Sequence, residues 1–139
     1  MKVLLIGGTG NIGSRLIPAL VSHHHKVVAY VRDALKLSLE AQEYLDKGSP
    51  DSVILGNATD ESALKAAILT HDCDAVVNCA GWAAMTGLQS QGDFPAIFQA
   101  VLKAVISAGK ERGGQPIRVW FMSSFFTLDA PIKPYLIGD

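Results

Sequence analysis

The sequence has few cysteines, no dominant charge and no long hydrophobic run, and each of these absences excludes a class of protein. Its 2 cysteines, Cys73 and Cys79, do not form a CxxC pair, which favours free thiols in a reducing cytosol. The 12 Lys and Arg residues balance 13 Asp and Glu residues, so we expect neither nucleic-acid binding nor a disordered chain. No apolar run approaches membrane-spanning length, so no membrane partner is expected.

The sequence also lacks internal repeats and low-complexity tracts, and we expect no signal peptide. Because an apolar strand pattern begins directly after Met1, we expect a cytoplasmic protein. Three adjacent histidines, His23 to His25, would point in different directions at a helix end, so we expect a polar turn and no metal site. What the sequence does have is length and apolar content: 139 residues, 49% of them hydrophobic, are enough for one folded domain over residues 1–139.

Strand and helix patterns alternate along the chain, which predicts an α/β fold with a parallel sheet and helices on both faces. The predicted strands cover residues 3–6, 26–31, 52–55, 75–79 and 117–122, and the predicted helices cover 11–22, 38–47, a stretch that opens at Thr59, and 94–111. Right-handed crossovers then favour the strand order 3-2-1-4-5. Because the order reverses between strands one and four, a crevice is expected where these two strands end.

The longest predicted helix has a strong helical period of apolar residues. Seven positions share this stripe and are expected to face the core: Phe94, Ile97, Phe98, Val101, Leu102, Val105 and Ile106. The helix that opens at Thr59 is expected to use this residue as its N-cap, with the acidic residues Asp60 and Glu61 in its first turn.

The stretch KVLLIGGTGNIG, residues 2–13, places glycines between a predicted strand and a predicted helix. We interpret Gly7 as the residue that lets the backbone turn, Gly10 as a close approach to a pyrophosphate, and Gly13 as the contact between helix and strand. The N–H groups at the helix start then face the phosphates. The predicted cofactor-binding residues of this turn are Gly7, Thr9, Gly10, Asn11, Ile12 and Gly13. The alternative is a glycine-rich turn that holds no ligand.

The Gly-x-x-Gly-x-x-Gly spacing, with the inner text GGTGNIG, resembles the extended and atypical branches of the short-chain dehydrogenase/reductase superfamily, including NmrA-like proteins. The resemblance covers nearly the whole chain, as far as the fifth strand. It implies NAD(P) binding on a Rossmann-type doubly wound parallel sheet whose C-terminal part is incomplete in this chain. It also implies a role in the reduction or epimerisation of a small-molecule substrate.

The residues after the second strand distinguish the two cofactors. A carboxylate there would bind the ribose hydroxyls of NAD, whereas an arginine would pair with the 2′-phosphate of NADP. The chain has Arg32 followed by Asp33, which resembles the Val-Arg-Asp text of NADP-using NmrA-like proteins. We therefore predict NADP, with NAD as the alternative cofactor if Asp33 turns inward. The alternative for Arg32 is a solvated surface charge.

Two further elements of the resemblance follow strands three and four. After strand three the chain has Gly56, Asn57 and Ala58, and Asn57 stands where the superfamily has an aspartate that contacts the adenine amino group. The amide oxygen of Asn57 can accept the same bond, although an asparagine turn explains this residue equally well. Asn78, Cys79, Ala80 and Gly81 resemble the Asn-x-Ala-Gly element, in which small Ala80 and Gly81 would let the backbone pass close under the adenosine ribose. A plain tight strand exit is the alternative.

Ser124, after strand five, matches the serine or threonine that in the superfamily orients the substrate carbonyl or hydroxyl, and it is the candidate catalytic residue. A slip of one residue would place Phe125 there. The superfamily also uses a tyrosine as general acid/base, with a lysine four residues on. Here the downstream tyrosine is Tyr135, and Asp139 stands four residues beyond it. The Tyr-x-x-x-Lys dyad is therefore absent from this sequence. A carboxylate at the lysine position would also raise the pKa of the tyrosine, whereas a lysine lowers it.

Three functions are therefore open. The first is the nucleotide-binding domain of an NADP-dependent reductase or epimerase, completed by a longer parent or a partner chain. The second is a non-catalytic NADP sensor or accessory subunit. The third is different chemistry beside a vestigial cofactor site, with Trp82, Met85 and Phe125 lining an apolar pocket. Because a sheet that stops at strand five leaves an unpaired edge, we also expect a homodimer or a complex with another protein, with residues 125–139 contributing.

Overall fold

A computed structural model describes residues 1–46, 52–80 and 94–122. Within these residues, the strands are β1 (Lys2–Ile6), β2 (Lys26–Val31), β3 (Val53–Leu55), β4 (Ala75–Asn78) and β5 (Arg118–Phe121). The helices are α1 (Asn11–Ser22), α2 (Leu39–Asp46), α3 (Glu61–Thr70) and α4 (Phe94–Glu111), and a 3-10 turn, Ala34–Lys36, precedes α2. Several residues of the sequence-based predictions lie outside the described residues: Gly81, Trp82, Met85, Ser124 and the segment 125–139.

All strand pairings are parallel, and the strands lie in the order β3-β2-β1-β4-β5. The predicted doubly wound α/β fold and its strand order are therefore confirmed. Side chains of β1 alternate between two cores, because Leu4 and Ile6 pack with α3 and α4, whereas Leu5 packs with Ile17 of α1. Helices thus cover both faces of the sheet, which is why β1 is an unbroken apolar run rather than an alternating one.

The start of α3 differs from the prediction. Asp60, and not Thr59, is the N-cap, and its side chain accepts a hydrogen bond from the Ala63 backbone nitrogen at 3.0 Å. Thr59 is instead bound to Asn57, whose Oδ1 accepts hydrogen bonds from both the backbone nitrogen and the hydroxyl of Thr59. Because its hydroxyl is committed to this preceding turn, Thr59 is not available to cap the helix.

The core face of α4 also differs from the prediction. Its buried residues are small ones together with two valines: Ala100, Val101, Ala104, Val105, Ala108 and Gly109. Four large residues of the predicted stripe are 36–50% exposed: Phe94, Phe98, Leu102 and Ile106. The physical reason is that α4 packs against both α3 and the sheet, and alanine lets helices approach each other more closely than phenylalanine or leucine does.

Arg112 joins α3 to the end of α4. Its guanidinium donates to the carbonyl oxygens of Cys73 at 2.7 Å and Ile68 at 3.1 Å, and it pairs with the Asp72 carboxylate at 2.9 Å. The Ile68 carbonyl, in the last turn of α3, also accepts from the Cys73 backbone nitrogen at 3.0 Å, so Arg112 adds a second donor there. The two helices are therefore held together at the ends that lie opposite the carboxyl ends of the strands.

Candidate functional site

Two glycines of the β1–α1 turn are required by the packing of the chain itself. Gly7 has a positive φ of 84°, and a Cβ there would collide with the backbone of Cys79 and Ala80 after β4. A Cβ on Gly13 would collide with the carbonyl oxygen of Gly7. The turn, the start of α1 and the exit of β4 are therefore packed backbone against backbone, at distances that only glycine allows.

Gly10 has no such internal reason to be glycine. Among the described residues, a Cβ there would meet only the Gly7 carbonyl oxygen, at 3.4 Å, and the φ of −78° is open to any residue. Gly10 is also exposed, as are Thr9, Asn11 and Ile12. The space that a side chain would fill stays open on the outside of the turn, so a ligand can reach the backbone here.

The start of α1 has no cap. Its N-cap residue, Gly10, has no side chain to accept a hydrogen bond, and the first turn of the helix contains no acidic residue. By contrast, α3 is capped by Asp60 and has Glu61 in its first turn. The first N–H groups of α1 thus have no capping side chain, and the positive end of the helix dipole favours an anion beside the open backbone of Gly10.

After β2, the two charged residues differ in how they are held. The Asp33 carboxylate accepts a hydrogen bond from the Leu35 backbone nitrogen at 3.0 Å and so caps the 3-10 turn Ala34–Lys36. Arg32 is exposed, and nothing within residues 1–46, 52–80 and 94–122 pairs with its guanidinium. One carboxylate oxygen of Asp33 is thus held by its own loop, whereas the guanidinium of Arg32 has no partner among the described residues.

β4 ends beside the glycine turn. Asn78 is buried, and its Oδ1 accepts a hydrogen bond from the Ala80 backbone nitrogen at 3.0 Å, which fixes the direction of the chain as it leaves the strand. The Cys79 N–H donates to the Ile6 carbonyl oxygen at 2.8 Å and ties β4 to β1. Burial raises the pKa of the Cys79 thiol, so the thiol stays protonated at neutral pH. Cys79 and Ala80 therefore contribute backbone shape rather than a nucleophile.

The turn after β3 is built around Asn57. Its Oδ1 accepts hydrogen bonds from the Thr59 backbone nitrogen at 3.0 Å and hydroxyl at 2.9 Å, so of the two alternatives the asparagine turn is the one that forms. The Asn57 carbonyl oxygen accepts a hydrogen bond from the hydroxyl of Tyr30, on β2, at 3.1 Å. A Cβ on Gly56 would collide with the Tyr30 ring, so this glycine lets the ring lie against the turn. Ala58 packs against the core beside α3.

Tyr30 is the residue of this region that the sequence did not single out. It is buried, and burial, followed by the nearby Asp60 carboxylate, raises the pKa of its hydroxyl, which therefore keeps its proton and acts as a donor. One signal could have indicated Tyr30. It is an aromatic residue near the carboxyl end of a buried strand, and the neighbouring strand is followed by a glycine, Gly56.

The strand order brings these elements to one edge of the sheet. β3, β2, β1 and β4 are parallel neighbours, so the residues that follow them lie side by side: Asn57 and Ala58, Arg32, the glycine turn, and Cys79 with Ala80. The order reverses between β1 and β4, where open α/β sheets bind their ligands in a crevice. The predicted Gly81 and Ser124 lie outside the described residues.

The histidines at the end of α1 belong to a turn. His24 has a left-handed φ of 63°, and the His25 Nδ1 lies 3.3 Å from the amino nitrogen of Met1. Within the described residues, no three His, Cys, Asp or Glu side chains lie together in a way that would hold a metal ion. No helix in this part of the chain is long and apolar enough to cross a membrane.

A doubly wound α/β sheet with an open glycine turn at an uncapped helix start is typical of nucleotide-binding proteins. A family model described as NAD(P)H-binding matches residues 7–135, and the chain belongs to this NAD(P)H-binding family. A comparison with curated proteins gave no match.

Solved structures with the same fold include two oxidoreductases and an epimerase. An oxidoreductase of the short-chain dehydrogenase/reductase family from Burkholderia thailandensis is 21% identical with a TM-score of 0.68, and the match covers 93% of this chain and 53% of that one. UDP-glucose-4-epimerase from Stenotrophomonas maltophila, solved with bound NAD and formylated UDP-arabinopyranose, is 22% identical with a TM-score of 0.71, over 95% and 40% of the two chains. The leucoanthocyanidin reductase–NADPH complex from Vitis vinifera is 22% identical with a TM-score of 0.61, over 86% and 32%.

These identities are below 25%, so the likeness establishes the fold and not the substrate. The chain spans about half the length of the first of these proteins and less of the other two. That the protein binds no nucleic acid, metal or membrane stays a prediction from the sequence, as does its cytoplasmic location.

Proposed function

We propose that this chain binds NADP(H) at the β1–α1 turn and acts as the cofactor-binding part of a reductase or epimerase for a small molecule. The observation that carries this proposal is the open backbone at Gly10 beside the uncapped start of α1. A glycine that no described neighbour requires, at a helix start with no acidic residue, fits the close approach of a pyrophosphate.

The residues at the carboxyl edge would divide the dinucleotide among them. The N–H groups of Asn11 and Ile12 would hold the pyrophosphate, and the backbone at Cys79 and Ala80 would lie under a ribose. When bound, the nicotinamide cofactor supplies the capacity for hydride transfer. The protein residues bind and orient it.

The two residues after β2 favour NADP over NAD. One oxygen of the Asp33 carboxylate accepts a hydrogen bond from the Leu35 backbone nitrogen, which holds this side chain in its own loop. Arg32 is exposed and unpaired within the described part of the chain, and a guanidinium binds a phosphate through two parallel hydrogen bonds. We therefore assign the 2′-phosphate to Arg32.

The chemical step is supported only by the sequence and by the class of the structural neighbours. Ser124 stays the candidate for orienting a carbonyl or hydroxyl oxygen of the substrate. Tyr135 followed by Asp139 does not reproduce the Tyr-x-x-x-Lys dyad. A non-catalytic NADP sensor or accessory subunit is therefore the second candidate function, because it needs the cofactor site but not the dyad.

Substitution of Gly10 by valine tests the cofactor site. Valine adopts the extended backbone that Gly10 has, and its side chain would fill the space reserved for the pyrophosphate. We expect Gly10→Val to lose NADP⁺ binding in calorimetry while the melting temperature stays within a few degrees of wild type. Ala19→Val, on an exposed position of the same helix, is the matched control and should bind normally. Unchanged affinity in Gly10→Val would mean that the turn is only structural.

A further inference from the structure

Residue 57 has no free acceptor. The Oδ1 of Asn57 accepts hydrogen bonds from the Thr59 nitrogen and hydroxyl, at 3.0 and 2.9 Å. Its backbone carbonyl oxygen accepts from the Tyr30 hydroxyl at 3.1 Å and from the Asp60 nitrogen at 3.0 Å. An amide or carbonyl oxygen has two lone pairs, so both oxygens of Asn57 are filled. The remaining polar group of the Asn57 side chain is the amide nitrogen, which can only donate hydrogen bonds.

The orientation of this amide is fixed by the chain. The Thr59 backbone N–H is a donor in every state, so the atom that faces it must be the oxygen of Asn57 and not the nitrogen. On its other side the turn rests on the buried Tyr30 ring, which occupies the place where Gly56 would have a Cβ. Asn57 itself is exposed, so its amide N–H groups are offered to solvent or to a ligand.

The strand order indicates which part of a dinucleotide would meet Asn57. With the pyrophosphate over β1 and the 2′-phosphate at Arg32 after β2, the nucleoside base continues in the direction of β3. The turn after β3 is the next element in that direction. This placement rests on the proposed function.

We propose that Asn57 recognises the purine of the dinucleotide as a hydrogen-bond donor, so that the site accepts a 6-oxopurine at least as well as adenine. Adenine carries a donor, its 6-amino group, where hypoxanthine carries an acceptor, its 6-oxo group. An aspartate at position 57 would keep one oxygen on Thr59 and turn the other, as an acceptor, towards the base. The amide nitrogen of Asn57 reverses that polarity.

Calorimetric titration of the full chain with NADP⁺ and with deamino-NADP⁺, which has hypoxanthine in place of adenine, tests this proposal. We expect wild type to bind deamino-NADP⁺ as tightly as NADP⁺ or more tightly. Asn57→Asp should shift the ratio of the two dissociation constants by about tenfold towards NADP⁺, as expected for one hydrogen bond to a charged group. Any general effect of the added charge acts on both ligands and cancels in the ratio. Glu61→Gln, which changes the charge of the neighbouring helix turn, should leave the ratio unchanged.

The possible results separate this inference from the proposed function. Wild type that binds NADP⁺ tenfold more tightly than deamino-NADP⁺ would overturn the inference and leave cofactor binding intact. An unchanged ratio in Asn57→Asp would overturn it in the same way. Wild type that binds neither dinucleotide would overturn the proposed function, and this inference with it.

Discussion

A single methyl group would have opposite consequences at two positions of the β1–α1 turn. At Gly13 it would meet the carbonyl oxygen of Gly7, a backbone atom that cannot move without shifting the strand or the helix. At Gly10 the nearest described atom would be the same oxygen at 3.4 Å, which is ordinary contact. Glycine at position 13 therefore serves the fold, and glycine at position 10 leaves room for a ligand.

This difference predicts the stability of the two alanine variants. Gly13→Ala should lower the free energy of unfolding by roughly 2 kcal/mol or more, because overpacking forces the backbone to shift. Gly10→Ala should lower it by about 1 kcal/mol or less, the typical cost of an unfavourable N-cap residue. Urea denaturation of both variants measures the difference. Equal losses of unfolding free energy in the two variants would show that Gly13 is not packed against the Gly7 carbonyl oxygen as this structure has it.

Residues that act through local chemistry could be predicted from the sequence better than residues that act through distant contacts. The asparagine turn at Asn57 could be predicted as one of two alternatives, because an asparagine side chain can accept a hydrogen bond from the backbone two residues later. Tyr30 was missed because its partner, the Asn57 carbonyl oxygen, is 27 residues away. No local pattern encodes that contact.

At the scale of elements, the apolar period located α4 but not its buried face. The bounds Phe94–Glu111 agree with the prediction because the period is strong over many turns. Val101 and Val105 of the predicted stripe are buried, but the period of large residues did not indicate that Ala100, Ala104 and Ala108 are buried beside them. In α3 the error had another origin: Thr59 and Asp60 are both good capping residues, and only the bond to Asn57 decides between them.

For the molecule as a whole, α4 and β5 form a border with large apolar residues facing outward. This α4 outer face consists of Phe94, Phe98, Leu102, Ile106 and, on β5, Val119. It continues onto the sheet, because the Phe98 and Phe121 ring centroids lie 4.4 Å apart. β5 is an edge strand within the described residues, and exposed apolar faces beside unpaired edges are typical of interaction surfaces.

We propose that a second copy of this chain covers the α4 outer face. Sedimentation velocity at micromolar concentration should then show a dimer for wild type. Replacing Leu102 and Ile106 together by glutamate should give a monomer, because burying an unpaired charge in an interface is strongly unfavourable. Gln99→Glu, an exposed position of the same helix, is the control and should remain dimeric. A wild-type monomer at every concentration would contradict this proposal and leave the face for another protein.

For the whole molecule, we propose that the carboxyl edge of the sheet holds NADP, with Arg32 on the 2′-phosphate. Calorimetric titration of NADP⁺ and NAD⁺ into wild type and Arg32→Ala tests this proposal. We predict that wild type binds NADP⁺ about tenfold or more tightly than NAD⁺, and that Arg32→Ala removes the difference. Arg118→Ala, which removes a positive charge at the start of β5 and far from this edge, should behave like wild type. Equal affinities for the two dinucleotides, unchanged in Arg32→Ala, would contradict the claim.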